Sequence, residues 1–249
     1  MKTHSSLLLA STLCLASSAN AGVLFSDKFD ERSFSGWSPS GNDTATIVNS
    51  PVRGGNYAAE LKLDRANDNV SYRTELSLQQ PRFEIGKEYW IGFSNQVPEG
   101  GRFFALQIHK IREAQDQTGR QPLTLNADSS NWTINVNFDG NAATTTSTDS
   151  TKSFGAGSLN QGQWTDWVIH IKFSFEDDGL LEVWKNGSQI VNYQGPNCYN
   201  DELGPYLKIG IYNPAWGGGS GASESDKRTI YYDQVTVGDA DAGYDAVAP

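Results

Sequence analysis

Alternation dominates this chain. Apolar residues recur at every second position, or nearly so, through Tyr57–Leu63, Val70–Leu78, Glu88–Gln96, Phe103–Lys110, Trp132–Phe138, Trp164–Glu176, Gly179–Lys185, Gln189–Gln194, Tyr206–Tyr212 and Thr229–Val237. A period of two belongs to strands with one face buried. Gly, Asn, Asp and Pro punctuate the runs, and no long stretch carries a helical period. The expected fold is all-β, a β-jelly roll made of two antiparallel sheets. Lys185-Asn186-Gly187-Ser188 predicts a tight hairpin, because Asn-Gly accepts the positive φ of a type I′ turn. Asn141–Ser153 and the Gly-rich Trp216–Gly221 are expected loops.

Three of these runs share a second property. In Arg73-Thr74-Glu75-Leu76, Leu106-Gln107-Ile108-His109 and Tyr206-Leu207-Lys208-Ile209-Gly210-Ile211-Tyr212, one face is apolar and the other carries large groups that titrate or hydrogen-bond. Residues two apart share a face, so Arg73 sits with Glu75, Gln107 with His109, and Lys208 with Tyr212. Arg, Lys and Gln are suited to holding an anion, and His and Tyr to moving a proton. Asn135 and Asn137 alternate with Ile134, Val136 and Phe138, as either groove-lining amides or ordinary polar strand positions.

Composition narrows the class. Lys2, the apolar Leu7–Leu15 and Ala19-Asn20-Ala21 form a secretory signal, so residues 1–21 are expected to be removed and residues 22–249 to form a single domain. The apolar run is too short to span a bilayer, and a secreted protein is expected. Cys198 is then the only cysteine left, so no intrachain disulfide can form, and it reads as a small buried hydrophobe. The formal charge of −10 becomes −11 once Lys2 leaves. That balance argues against nucleic acid, and a polyanionic partner would need a local basic groove.

Taken together, Arg73-Thr74-Glu75-Leu76, Gln107-Ile108-His109 and Tyr206 to Asn213 resemble, in order and spacing, the signature strands of jelly-roll polysaccharide lyases, close to the alginate lyases of that fold. The run from Trp164 to Lys172, Trp184-Lys185-Asn186-Gly187, Gly195-Pro196-Asn197 and Lys208 to Tyr212 are more similar to the heparin lyase I and glucuronan lyase group. The resemblance implies β-elimination at a uronic acid. It also implies that Arg73 and Gln107 bind the substrate carboxylate, with His109 and Tyr212 as the catalytic pair. Neutralising the carboxylate makes the C5 proton removable; a base takes it and an acid protonates the departing O4. Where H5 and O4 lie on one side of the ring, as in β-linked glucuronate or mannuronate, Tyr212 alone could serve both steps. Where they lie opposite, as in guluronate or iduronate, His109 is the base and Tyr212 the acid.

Around this core, Lys208 is expected to bind substrate, Glu75 to orient Arg73 through a bidentate pair, and Trp216 to stack on a sugar from a mobile lid. His170 reads as structural. The chemistry requires no cofactor. Asp30 and Asp233, with Asp27, are candidate oxygen donors for a structural Ca²⁺, against the plainer reading of surface carboxylates. The expected partner is an anionic polysaccharide, with no membrane and no oligomer. Glucuronan ranks first and alginate, especially polymannuronate, second. Two rivals stay open: a noncatalytic carbohydrate-binding module, which has no need for Gln107, His109 and Tyr212 together, and a glycoside hydrolase, for which Glu224-Ser225-Asp226 is the nearest carboxylate pair.

Overall fold

The computed structural model describes residues 22–41, 43, 45–67, 71–111, 116, 120–217 and 226–249; the expected signal segment lies outside them. Fifteen strands follow in order: β1 Val23–Asp27, β2 Trp37–Gly41, β3 Ala45–Val48, β4 Ala58–Asp64, β5 Arg73–Leu78, β6 Glu88–Gln96, β7 Phe103–His109, β8 Leu123–Ala127, β9 Asn131–Phe138, β10 Ser150–Ser158, β11 Trp164–Lys172, β12 Leu180–Lys185, β13 Ser188–Gln194, β14 Tyr206–Tyr212 and β15 Lys227–Asp239. Among the described residues helix is confined to a 3-10 turn at Pro214–Trp216 and to α1, Tyr244–Val247. Among the described residues no helix is long and apolar enough to cross a membrane.

Every paired strand runs antiparallel to its neighbours. One sheet has the order β13-β12-β11-β6-β15-β4-β3, with β1 also on β15; the other has the order β10-β9-β8-β7-β14-β5-β2. Strands that are distant in sequence are therefore neighbours in space, as in a jelly roll. The inner faces of both sheets form one core that includes Leu61, Phe93, Trp167, Ile169 and Ile230 from the first sheet and Leu76, Ile108, Leu125, Trp132 and Ile209 from the second. At about 25 cal/mol per Å² of apolar surface removed from water, such a core is the principal force holding a fold without disulfides.

The Asn-Gly hairpin forms as expected, with φ of 50° at Asn186 and 79° at Gly187. His170 is structural: its ring stacks on Trp90 at 3.9 Å, with Nδ1 2.9 Å from Glu182 and Nε2 3.3 Å from Glu88. Cys198 is a buried free thiol whose pKa burial pushes up, so it is inert as a nucleophile. The expected loop at Asn141–Ser153 overlaps β10, a polar strand at a sheet edge. There, pairing with β9 supplies the order that the sequence pattern does not.

Candidate active site

The register of the second sheet brings the three polar strand faces together. Lys208 on β14 pairs with Gln107 on β7 and with Ser77 on β5; Tyr212 pairs with Arg73, and Tyr206 with His109. The row continues outward, because Gln107 pairs with Thr124 on β8, Thr124 with Asn135 on β9, and Asn135 with Ser153 on β10. A register shift in β7 between Phe104 and Leu106 faces one in β14 between Ile209 and Tyr212. Such irregularities re-aim side chains, and here Phe104 joins the site face, its ring 5.7 Å from that of Tyr212. Tyr232, reaching across from the first sheet, donates its hydroxyl proton to the Ala105 carbonyl within the β7 shift.

Gly210 sits between Lys208 and Tyr212 with φ of 137°, and a Cβ there would collide with the Thr74 carbonyl. A glycine is required at that point for β14 to lie against β5.

Glu75 lies at the centre of the cluster. Its side chain is 3 % exposed, with Oε2 2.8 Å from Lys208 Nζ, and Gln107 Nε2 donates to Oε1. Arg73 Nη1 lies 3.9 Å from Oε2, so the expected bidentate Arg73–Glu75 pair is not what forms. Glu75 chiefly anchors Lys208 and Gln107. Arg73 instead donates Nε–H to the Ser71 carbonyl at 3.2 Å and places its guanidinium 4.8 Å from the Tyr212 ring centroid. Glu75, an anion whose two oxygens are taken by Lys208 and Gln107, is the counter-charge that holds them.

His109 is half-buried. Its Nδ1 lies 2.8 Å from the Lys110 carbonyl, which can only accept, so Nδ1 carries the proton and Nε2 is left with the lone pair. Burial, then the charge of Lys208 and to a lesser extent that of Arg73, push its pKa down to about 4. Near neutral pH His109 is an uncharged acceptor.

Next to Tyr212 the open face deepens into a cleft of about 520 Å³. Phe104, Tyr212 and Pro214 lie at one side, Thr124, Asn135 and Asn137 along the strands, and Arg120, Gln121 and Thr151 at the other. Asn135 and Asn137 line the groove, as one of the two sequence readings has it. Asn135 Oδ1 accepts from Ser153 Oγ at 2.8 Å, and Asn137 Oδ1 from Thr151 Oγ1 at 2.7 Å. Arg120, Gln121, Thr124 and Thr151 were not legible as site residues. Thr124 stands on a five-residue strand, Thr151 in an apparent loop, and Arg120 and Gln121 outside any strand.

Trp216 requires a correction. It is 2 % exposed and belongs to the core, with the guanidinium carbons of Arg228 and Arg65 at 5.6 and 6.0 Å from its ring. An indole buried in this way cannot stack on a sugar. Of the expected lid, 218–221 lie outside the described residues, as do 224 and 225 of the rival carboxylate pair. Asp27, Asp30 and Asp233, the expected calcium donors, each accept backbone N–H groups. Asp233 accepts from the N–H groups of Arg53, Gly54 and Gln234, and Asp30 from those of Asn56 and Tyr57. Among the described residues no three His, Cys, Asp or Glu side chains are grouped to hold a metal ion.

Fold and site together define a jelly-roll sandwich carrying, on one open face, a basic cluster beside a neutral histidine and a tyrosine. The polysaccharide lyase family model matches residues 29–236, and the chain belongs to that family of enzymes. Solved structures agree on the fold. The chain is similar to the endo-β-1,4-glucuronan lyase of the fungus Trichoderma reesei, with TM-score 0.80 and 16 % identity over 91 % of this chain and 98 % of that one. It is also similar to a marine PL7 alginate lyase from Zobellia galactanivorans (TM-score 0.51, 14 % identity, 83 % and 96 % covered). A third likeness is a family 7 alginate lyase, substituted at one histidine and one tyrosine and in complex with substrate (TM-score 0.55, 13 % identity, 87 % and 98 % covered). No curated protein sequence matches significantly.

Proposed function

We propose that this polysaccharide lyase is exported and cleaves a polyuronate by β-elimination, with glucuronan the preferred substrate and polymannuronate the second choice. The observation that carries the reading is the juxtaposition of Arg73 and Lys208 with neutral His109 and with Tyr212 on one sheet face. In an acidic chain this is the local basic groove that a polyanion needs, with Arg82 adding a guanidinium 4.4 Å from the Tyr206 ring.

Arg73, Lys208 and the Gln107 amide face the uronate carboxylate and disperse the charge that develops when C5 loses its proton. The partly exposed guanidinium of Arg73 makes the direct contact, while Lys208 and Gln107 are held in place by Glu75. Tyr212 exchanges protons with C5 and O4. On glucuronate, where both lie on one side, it takes the first and returns one to the leaving oxygen. His109, uncharged and with Nε2 as acceptor, assists by hydrogen bonding. On a guluronate it would be the base itself.

Glucuronan ranks first because the fungal glucuronan lyase is matched over nearly the full length of both chains. Export rests on Lys2, Leu7–Leu15 and Ala19-Asn20-Ala21. The test is to incubate the protein with glucuronan, polymannuronate and polyguluronate and follow the ultraviolet absorbance of the 4,5-unsaturated uronate. A rise with glucuronan foremost is expected; a rise with polyguluronate alone would reverse the substrate order and the assignment of the base.

A further inference from the structure

We infer that Arg120 is a specificity-determining residue that binds the carboxylate of a second uronate, in a subsite on the β8–β10 side of Tyr212; this rests on the polyuronate reading above. Among the described residues that line the 520 Å³ cleft, Arg120 is the one charged side chain, and Tyr212 lies at the cleft's other side. The remaining polar lining is amide and hydroxyl, which suits sugar hydroxyls and offers no anion a counter-charge. A chain laid across the strands from Tyr212 toward Thr151 therefore meets its next cation at Arg120.

The guanidinium is set for this task. Its Nε lies 3.2 Å from Asp149 Oδ2, and its Nη1 donates to Thr151 Oγ1 at 2.6 Å. Asp149 is itself held by the Tyr199 hydroxyl at 2.9 Å, and its side chain is 1 % exposed against 54 % for Arg120. The buried carboxylate thus fixes the guanidinium from behind while the cation faces the cleft. A planar fork with five N–H donors can keep that anchor and also donate to a substrate carboxylate. The lyase should accordingly favour substrates in which the uronate at the cleavage point has a carboxylated neighbour, over chains where the neighbour is a neutral sugar.

The experiment compares wild type, Arg120→Gln and Arg120→Lys. Calorimetry measures binding of glucuronan and polymannuronate oligomers and of the same oligomers with about half their carboxyl groups reduced to alcohols; turnover and melting temperature are followed in parallel. Arg120→Gln should weaken binding of the fully carboxylated oligomer about tenfold or more, the usual weight of a charge-assisted hydrogen bond. It should leave the reduced oligomer much less affected, with Arg120→Lys in between. Equal losses on both oligomers, with a lowered melting temperature, would show Arg120 to be structural only and overturn the inference, as would unchanged discrimination. If wild type releases no unsaturated product, the substrate reading fails by itself, and Arg120 is still judged by the charge dependence of binding. Wild type that binds neither polymer overturns both.

Discussion

Lys208 and Glu75, 133 positions apart in sequence, meet with Nζ and Oε2 2.8 Å apart, and both side chains are buried. The pair lies under the open face between Gln107 and Arg73 and holds the amide and the ammonium in place before any substrate arrives. Breaking one partner of a buried pair leaves an uncompensated charge, which typically costs about 3–5 kcal/mol. Glu75→Ala should therefore lower unfolding free energy by about that much in a denaturant titration and reduce turnover as well. A stability change below about 1 kcal/mol would show that the pair is not the anchor described.

Tyr212→Phe removes only the phenolic oxygen and its proton. Turnover should fall by ~10²–10⁴-fold, the usual cost of losing an acid or base, while polymer binding persists. Retention of more than about a tenth of wild-type kcat would place the proton transfer elsewhere.

Arg73→Lys keeps the charge and loses the planar fork. Because Arg73 is only partly buried and contributes little to the Glu75 anchor, the melting temperature should stay near that of wild type while kcat/KM falls at least tenfold. Unchanged kinetics would remove Arg73 from the site.

His109 gives a pH signature. Its pKa in the folded chain is about 4, below the ordinary 6.5, so the unfolded chain binds more protons between those values. The stability associated with neutral His109 is complete above pH 6.5 and is lost as pH falls toward 4, by up to about 3 kcal/mol and less where solvent screens the neighbouring cations. Wild type should lose stability relative to His109→Gln across that window, and the acid limb of kcat/KM should lie near pH 4. An acid limb near 6.5 would mean that His109 is not depressed or not needed in its neutral form.

Trp216→Ala should act on the fold. Emptying a buried indole site costs about 3–5 kcal/mol, so the melting temperature should drop sharply with KM little changed. A raised KM at native stability would restore the idea of a sugar-stacking indole.

The sequence alone determined the strands whose own alternation is unambiguous, such as Glu88–Gln96 and Tyr206–Tyr212, which begin and end where the pattern says. It also determined the Asn-Gly hairpin and which polar residues share a face of one strand: Arg73 with Glu75, Gln107 with His109, and Lys208 with Tyr212. These are local properties: periodicity fixes a face, and Asn-Gly fixes a turn. Tertiary structure alone decided the rest. β10 is a strand because β9 pairs with it, and Ser150–Ser158 has little alternation to betray that. Glu75 took Lys208 and Gln107 as its main partners because register brings β14 beside both β5 and β7, whereas spacing in sequence suggested its near neighbour Arg73. Trp216 went inward and Arg120 reached the cleft for the same reason. A side chain outside the regular strands has no period to fix its direction, and only the surfaces packed around it choose between core and solvent.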